Sequence, residues 1–272
     1  MLEFAFVSLA LYLVFAAIIG LGRWIFLVQT AQSAARTIAR EASLYPLPAN
    51  STFPQALANP GFRAAVYSPD FLVVDLAVTP PGPALDAAFA AMPVGNRSLR
   101  PLMIVSDVLV AGSVRQLLHL PGAITNSPTA PSGLTVVVPR VSARDPLTGA
   151  ETIEILPVVE EVGPGSFSLQ SPDRGLVILR VNVPYQSATL SAYVPGLPLP
   201  GGNVSNVPLR ANDALVAAPL GIYNPIIGQG PTGAGAYSGT YGLGEHLALG
   251  QSLRPFRRLI SAQAIFRREV FL

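Results

Sequence analysis

The stretch that decides the fold is LEFAFVSLALYLVFAAIIGLGRWIFLVQTAQSAARTIAREASLY, residues 2–45. Its first part, Phe4 to Gly22, carries no formal charge over 19 residues. As an α-helix that run measures about 28 Å, close to the hydrocarbon thickness of a bilayer, roughly 30 Å. Arg23 interrupts it and WIFLV resumes it. Trp24 stands where an interfacial aromatic belongs, and Arg23 is long enough to snorkel to headgroups. A core helix of a soluble protein and a cleaved secretory signal are the alternatives. No basic region precedes the run, and cleavage would discard a segment that continues smoothly into more helix.

The continuation is QTAQSAARTIAREASLY. Ala31, Ala34, Ala35, Ile38, Ala39 and Ala42 recur at helical spacing, with Gln32, Arg36, Arg40 and Glu41 as the polar residues. Alanine is the best helix former, and Pro46 and Pro48 set the stop. The pattern predicts one helix from about residue 3 to 45, roughly 65 Å long. Such a rod joins a membrane to something outside it, and its small-residue face favours close packing with another helix. Glu3 has two readings. It is a first-turn acid that favours the helix dipole by about 0.3–1 kcal/mol, or a carboxylate at the apolar edge that pairs with a cation of a neighbouring subunit.

EFAFVSLALYLVFAAIIGLGR resembles the N-terminal segment of TadE-like proteins of the tight-adherence pilus system, and more broadly the N-terminal helix of type IV pilins. QTAQSAARTIAREAS resembles the alanine-rich stretch that follows it there. The resemblance implies a pseudopilin-like, single-pass subunit of the bacterial inner membrane, with its bulk in the periplasm or extracytoplasmic space. It also implies that Glu3 promotes docking of subunits. Ala31, Ala34, Ala35 and Ile38 join Glu3 as candidate partner contacts, and Arg23 and Trp24 mark the membrane interface. The family's members carry a short basic leader before this glutamate, whereas Met1 and Leu2 alone precede it in the sequence. Arg23, Arg36 and Arg40 all follow the apolar run, so the distribution of basic residues by itself places the head in the cytoplasm; the resemblance places it on the other side.

Residues 46–70 are rich in Pro, Asn and Ser and form a junction folded onto the next domain, with a helix candidate at PQALANPGFRAAVY. Residues 71–272 read as an α+β domain on an antiparallel sheet, so the whole is a pilin-like lollipop. FLVVDLAV (71–78) and LMIVSDVLV (102–110) are strand-like. PALDAAFAAM between them is a short helix followed by a turn at PVGN, and SVRQLLHL (113–120) reads as a further short helix. GLTVVVPRV (133–141) and ETIEILPVVEEV (151–162) flank a hairpin turn supplied by Asp145, Pro146 and Gly149. Pro139 and Pro157 point to edges or bulges. GLVILRVNVPYQSATLSAYVPG (175–196) is the strongest strand signal. It resembles a strand common in TadE-like domains, with Tyr185 as a packing aromatic. Residues 195–250 form a Gly/Pro-rich insertion, and RLISAQAIF is a closing strand.

The composition narrows the chemistry. The chain is 50% hydrophobic and 12% charged, against roughly 25% charged in ordinary domains. All 17 basic residues are arginine and are dispersed, so nucleic-acid binding is not indicated. With no cysteine, disulfides, thiolate metal sites and cysteine nucleophiles are excluded. The two histidines rule out a His-rich metal centre. His119 reads as a packed or surface residue, and His246 beside Glu245 lacks a nucleophile to complete a catalytic set. GPTGAGAYSG has neither the lysine nor the context of a phosphate-binding loop. Glu160 and Glu161 point to opposite faces of a strand and read as solvated charges. Arg254, Arg257 and Arg258 form a basic group that reads as a solvated face, or as a contact for anionic headgroups or a partner. No enzyme, cofactor or metal is expected, and the partners are the lipid bilayer and pilin-like subunits. The alternative function is a single-span scaffold or ligand-binding protein unrelated to pili; a pocket gathering Asp75, Asp107, Asp173 or Glu245 would favour a membrane-tethered enzyme or carbohydrate-binding module.

Overall fold

A computed structural model describes residues 2–110, 113–127, 129–144, 151–172, 175–185 and 259–269, with four two-residue strands at 197–198, 204–205, 216–217 and 252–253. The first element, α1 (Leu2–Leu44), is the predicted rod, unbroken over 43 residues. Near its end the backbone N–H of Glu269 donates to the Ser43 carbonyl at 3.1 Å. This satisfies one of the carbonyls that a helix end leaves without an internal partner.

The junction does not form one helix but two, α2 (Phe53–Ala58) and α3 (Pro60–Ala65). Asn59 is the reason. Its side chain accepts from the N–H groups of Gly61 and Phe62, at 2.8 and 3.2 Å, so it caps a new helix with Pro60 at the first position. Phe53, Ala56, Phe62 and Tyr67 drop into the main core.

A 3-10 turn at Pro69–Phe71 leads into β1 (Val73–Asp75), much shorter than FLVVDLAV promised. Asp75 ends it: the side chain accepts from Ala77 N–H at 2.9 Å and the carbonyl from Thr79 N–H at 2.8 Å, a local turn that competes with the strand ladder. Helix α4 (Pro83–Ala91) follows as expected. PVGN then starts a helix instead of a turn, α5 (Val94–Leu99). Tertiary contacts override its weak propensity. Gly95 N–H bonds Val66 O at 2.8 Å, and a Cβ at Gly95 would lie 2.6 Å from that carbonyl and 2.8 Å from Ile38 of α1. Asn96 exchanges two hydrogen bonds with the backbone of Ser68, at 2.9 and 2.8 Å.

After a second 3-10 turn at Arg100–Leu102 come β2 (Ile104–Val110) and β3 (Ser113–His119). The helix expected at 113–120 is therefore a strand. It is the centre of an antiparallel sheet of order β1-β3-β2, with His119 opposite both Val73 and Ile104. Two flanking strands outweigh a local helical spacing of Val114, Leu117 and Leu118.

A second sheet has the order β4-β5-β6, from β4 (Ala123–Asn126), β5 (Leu134–Arg144) and β6 (Glu151–Pro157). The expected hairpin is present, since Arg144 pairs with Glu151; its turn residues Asp145, Pro146 and Gly149 lie outside the described residues. Pro139 pairs with Ile155 beyond the point where β4 stops, and a bulge follows between Val141 and Ala143. The third sheet joins β7 (Val159–Glu161), β8 (Leu176–Pro184) and β13 (Leu259–Arg267) in the order β13-β8-β7. Two small ladders, β9 (Leu197–Pro198) with β10 (Val204–Ser205) and β11 (Val216–Ala217) with β12 (Ser252–Leu253), complete the elements. Most of the Gly/Pro-rich segment 195–250, with Glu245 and His246, lies outside the described residues, as do Arg254, Arg257 and Arg258.

One continuous core joins α1 to the head. Val177, Leu179, Val181 and Val183 of β8 face inward, with Ile260, Ala262 and Ala264 of β13 beside them in register. Tyr185 packs against the same core, as expected of it. The fold is α+β: a long apolar helix, antiparallel sheets and short helices in a pilin-like layout.

Candidate functional site: a membrane-length stem rooted in the head

The stem divides at about residue 27. From Phe6 to Phe26 its side chains are largely exposed, including Phe6 at 65%, Tyr12 at 63% and Ile19 at 62%. That segment rises about 31 Å, again the thickness of a bilayer core, roughly 30 Å. Monomeric soluble proteins do not leave apolar surface of this extent in water. The helix is long and apolar enough to cross a membrane. Arg23 and Trp24 are both exposed, Trp24 at 45%, one turn before the apolar exposure ends. Glu3 lies in the first turn of α1; its side chain is outside the described residues.

From Leu27 and Val28 onward the helix turns into the head. Ala31, Ala34, Ala35, Ile38, Ala39 and Ala42 are all 0% exposed, while Gln32, Arg36 and Arg40 stay in solvent. The buried face lies against β8, β13 and α5. Alanines on the helix and on β13 let the two backbones approach closely, and Gly95 does the same for α5. The small-residue face is thus used inside the chain. Ala31, Ala34, Ala35 and Ile38, expected as contacts to another subunit, hold the chain's own sheet in this fold.

Arg268 is the residue that the sequence reading passed over. It is 1% exposed. Its guanidinium donates to Leu47 O at 2.5 Å and to Pro48 O at 3.2 Å, and it lies 5.2 Å from the Phe167 ring centroid. Burial holds its pKa below the usual arginine value, though arginine stays cationic in proteins. The signal was strand parity: Ile260, Ala262 and Ala264 face inward, and Arg268 shares that parity one step past the strand end. Together with the bond from Glu269 to Ser43, it fastens the C-terminal strand to the top of the stem.

Four acids of the head, Asp70, Asp75, Glu160 and Glu161, have hydrogen-bond partners among the described residues. Asp70 pairs with Arg63 and accepts from Thr129 Oγ1 at 2.9 Å. Asp75 pairs with Arg115, whose Nε donates at 2.9 Å. Burial pushes the Asp75 carboxyl up, but the Arg115 and Ala77 hydrogen bonds and the Arg115 charge outweigh it, and the net shift is downward. Glu160 and Glu161 do use different partners, but they are not the solvated charges expected. Glu160 meets Arg180 at 3.3 Å and Asn182 Nδ2 at 2.9 Å. Glu161 accepts from Phe167 N–H at 3.1 Å and Ser166 Oγ at 3.4 Å. His119 is buried on a strand, with Nδ1 2.7 Å from Leu120 O. The Asp107 side chain, Asp173, Glu245 and His246 lie outside the described residues.

No curated protein and no solved structure matches the chain. Residues 1–40, which take in the exposed apolar segment and most of the buried alanine face, match the family model described as TadE-like protein.

Proposed function

We propose that this chain is a non-enzymatic, single-pass subunit in the assembly of a tight-adherence, type IV-like pilus, with a pseudopilin-like role. The stem sits in the bacterial inner membrane and the head on the periplasmic side. One observation carries the reading: a bilayer-length stretch of helix with its apolar surface uncovered, Phe6–Phe26, lies wholly within residues 1–40, the segment similar to TadE-like protein. Because the alanine face is taken up by the head, the exposed stem from Phe6 to Phe26 is the helix surface open to other subunits, with Glu3 in the turn before it. A carboxylate at the edge of that segment is costly unless it is hydrated or paired, which makes Glu3 the docking residue for a cationic group of a neighbouring pilin-like subunit. The pairing of Asp70, Asp75 and Glu160 with arginines supports an assembly role over catalysis.

Two measurements test the reading. Protease added to spheroplasts should digest the head; full protection there overturns the orientation. Glu3→Ala should leave the chain in the membrane fraction and lower its co-purification with pilin-like partners several-fold, and an unchanged yield would refute the docking role.

A further inference from the structure

We infer that a groove between α2 and the β6–β7 corner of the head is a docking site for an arginine side chain presented by a partner protein. The groove encloses about 250 Å³ and is walled by Phe53, Leu57, Val136 and Val159, with Tyr67, Glu161 and the Arg180-paired Glu160 as its polar residues. Small-molecule sites usually begin near 300 Å³, so the space suits one long side chain. This inference goes beyond the pilus reading and does not depend on it.

Two groups in the groove lack what their neighbours have. Tyr67 is 2% exposed, and among the described residues its hydroxyl has no hydrogen-bond partner. Burial raises its pKa, so the hydroxyl remains neutral and available as donor and acceptor. Glu160 meets Arg180, whereas Glu161 is bonded by the uncharged Ser166, Phe167 and Gly165 groups and has no cation within ion-pair distance among the described residues. Burial pushes the Glu161 carboxyl up, against the hydrogen bonds from Phe167, Ser166 and Gly165. A half-buried carboxylate without a countercharge beside an apolar wall is a costly arrangement that an incoming cation relieves.

Arginine fits both halves of the site. Its stem covers apolar surface while its head stays polar. The guanidinium is more weakly hydrated than an ammonium, and its forked donors suit a carboxylate such as that of Glu161, with the Tyr67 hydroxyl as a further acceptor on the groove wall. Lysine gives up more hydration and has no planar fork.

The test titrates Nα-acetyl-arginine amide into the full chain in detergent micelles, observed by NMR, with the citrulline and lysine amides as comparisons. The arginine probe should saturate and bind at least fivefold more tightly than either. Glu161→Gln should abolish the preference for arginine over citrulline, and Tyr67→Phe should weaken arginine binding two- to fivefold. Leu57→Phe, which fills the groove without touching either polar group, should block binding and covers the case in which Glu161→Gln does not fold. Equal binding of arginine and citrulline, equal binding of lysine, or arginine binding unchanged by Leu57→Phe overturns the inference.

Discussion

Two stretches of one helix, Phe6–Phe26 and Ala31–Ala42, are both apolar where it matters, and they place that surface against different surroundings. The lower stretch is bulky and apolar all round, with Leu, Ile, Phe and Val exposed on every side. The upper stretch confines its apolar residues to one face, makes them small, and leaves Gln32, Arg36 and Arg40 outside. The angular spread and bulk of the apolar residues, more than their number, separate surface made for lipid from surface made for a sheet. The helix passes from one regime to the other between Phe26 and Ala31 without a break.

The comparison can be broken from either end. The largest expected effect is at the top. Ile38→Ala empties a fully buried site beside Gly95 and should destabilise the head by about 2–5 kcal/mol, seen as a lower midpoint in thermal unfolding of the micelle-bound chain. Membrane retention should be unchanged. Val14→Arg makes the opposite cut. It should disfavour insertion by about 2.5–3.5 kcal/mol, read as loss from the alkali-resistant membrane fraction, while the head melts as before. If either substitution disturbs both properties equally, the division at residue 27 is wrong. A smaller effect is expected where the head grips the stem. Arg268→Met keeps length but loses the charged hydrogen bonds to Leu47 and Pro48, worth about 1.5–3 kcal/mol, and hydrogen exchange should accelerate first at Ser43–Pro48.

Much of this layout was legible in the residues, and the misses have physical causes. The rod, β5, β6, β8 and β13 carry strong periodicity, so local pattern and final structure agree. SVRQLLHL misled because Val114, Leu117 and Leu118 fall by chance at helical spacing, and the two strands that pair with it, β1 and β2, meet it only once the tertiary fold forms. PVGN misled because glycine was there for close approach to Ile38 and asparagine to pair with Ser68, roles that exist only once distant segments meet. FLVVDLAV was cut short by the Asp75 turn. The alanine face was correctly seen as a packing surface, but its partner was assigned to another subunit because no sequence pattern says which sheet a helix will meet. Glu161 and Tyr67 are invisible as a pair, since a groove built from α2, β5 and β7 leaves no motif.

The smallest effect sharpens the contrast within the head itself, between acids with a cation and acids without one. Asp75 has a depressed pKa because Arg115 and Ala77 outweigh its burial. A carboxyl whose folded pKa is lowered contributes stability above its unfolded value, about 3.9, and loses it as the pH falls through the folded value. Arg115→Met removes the dominant opposing influence and leaves burial against one N–H, so the folded pKa should rise above the unfolded one. The sign then reverses: the contribution is present below the unfolded pKa and disappears as the pH rises through the raised folded value. Thermal midpoints taken from about pH 3 to about pH 7, across the ordinary carboxylate range, should therefore show the mutant closest to wild type at the acid end and furthest from it near neutrality. Parallel profiles would mean that Arg115 acts on the fold through packing alone, with no electrostatic hold on Asp75.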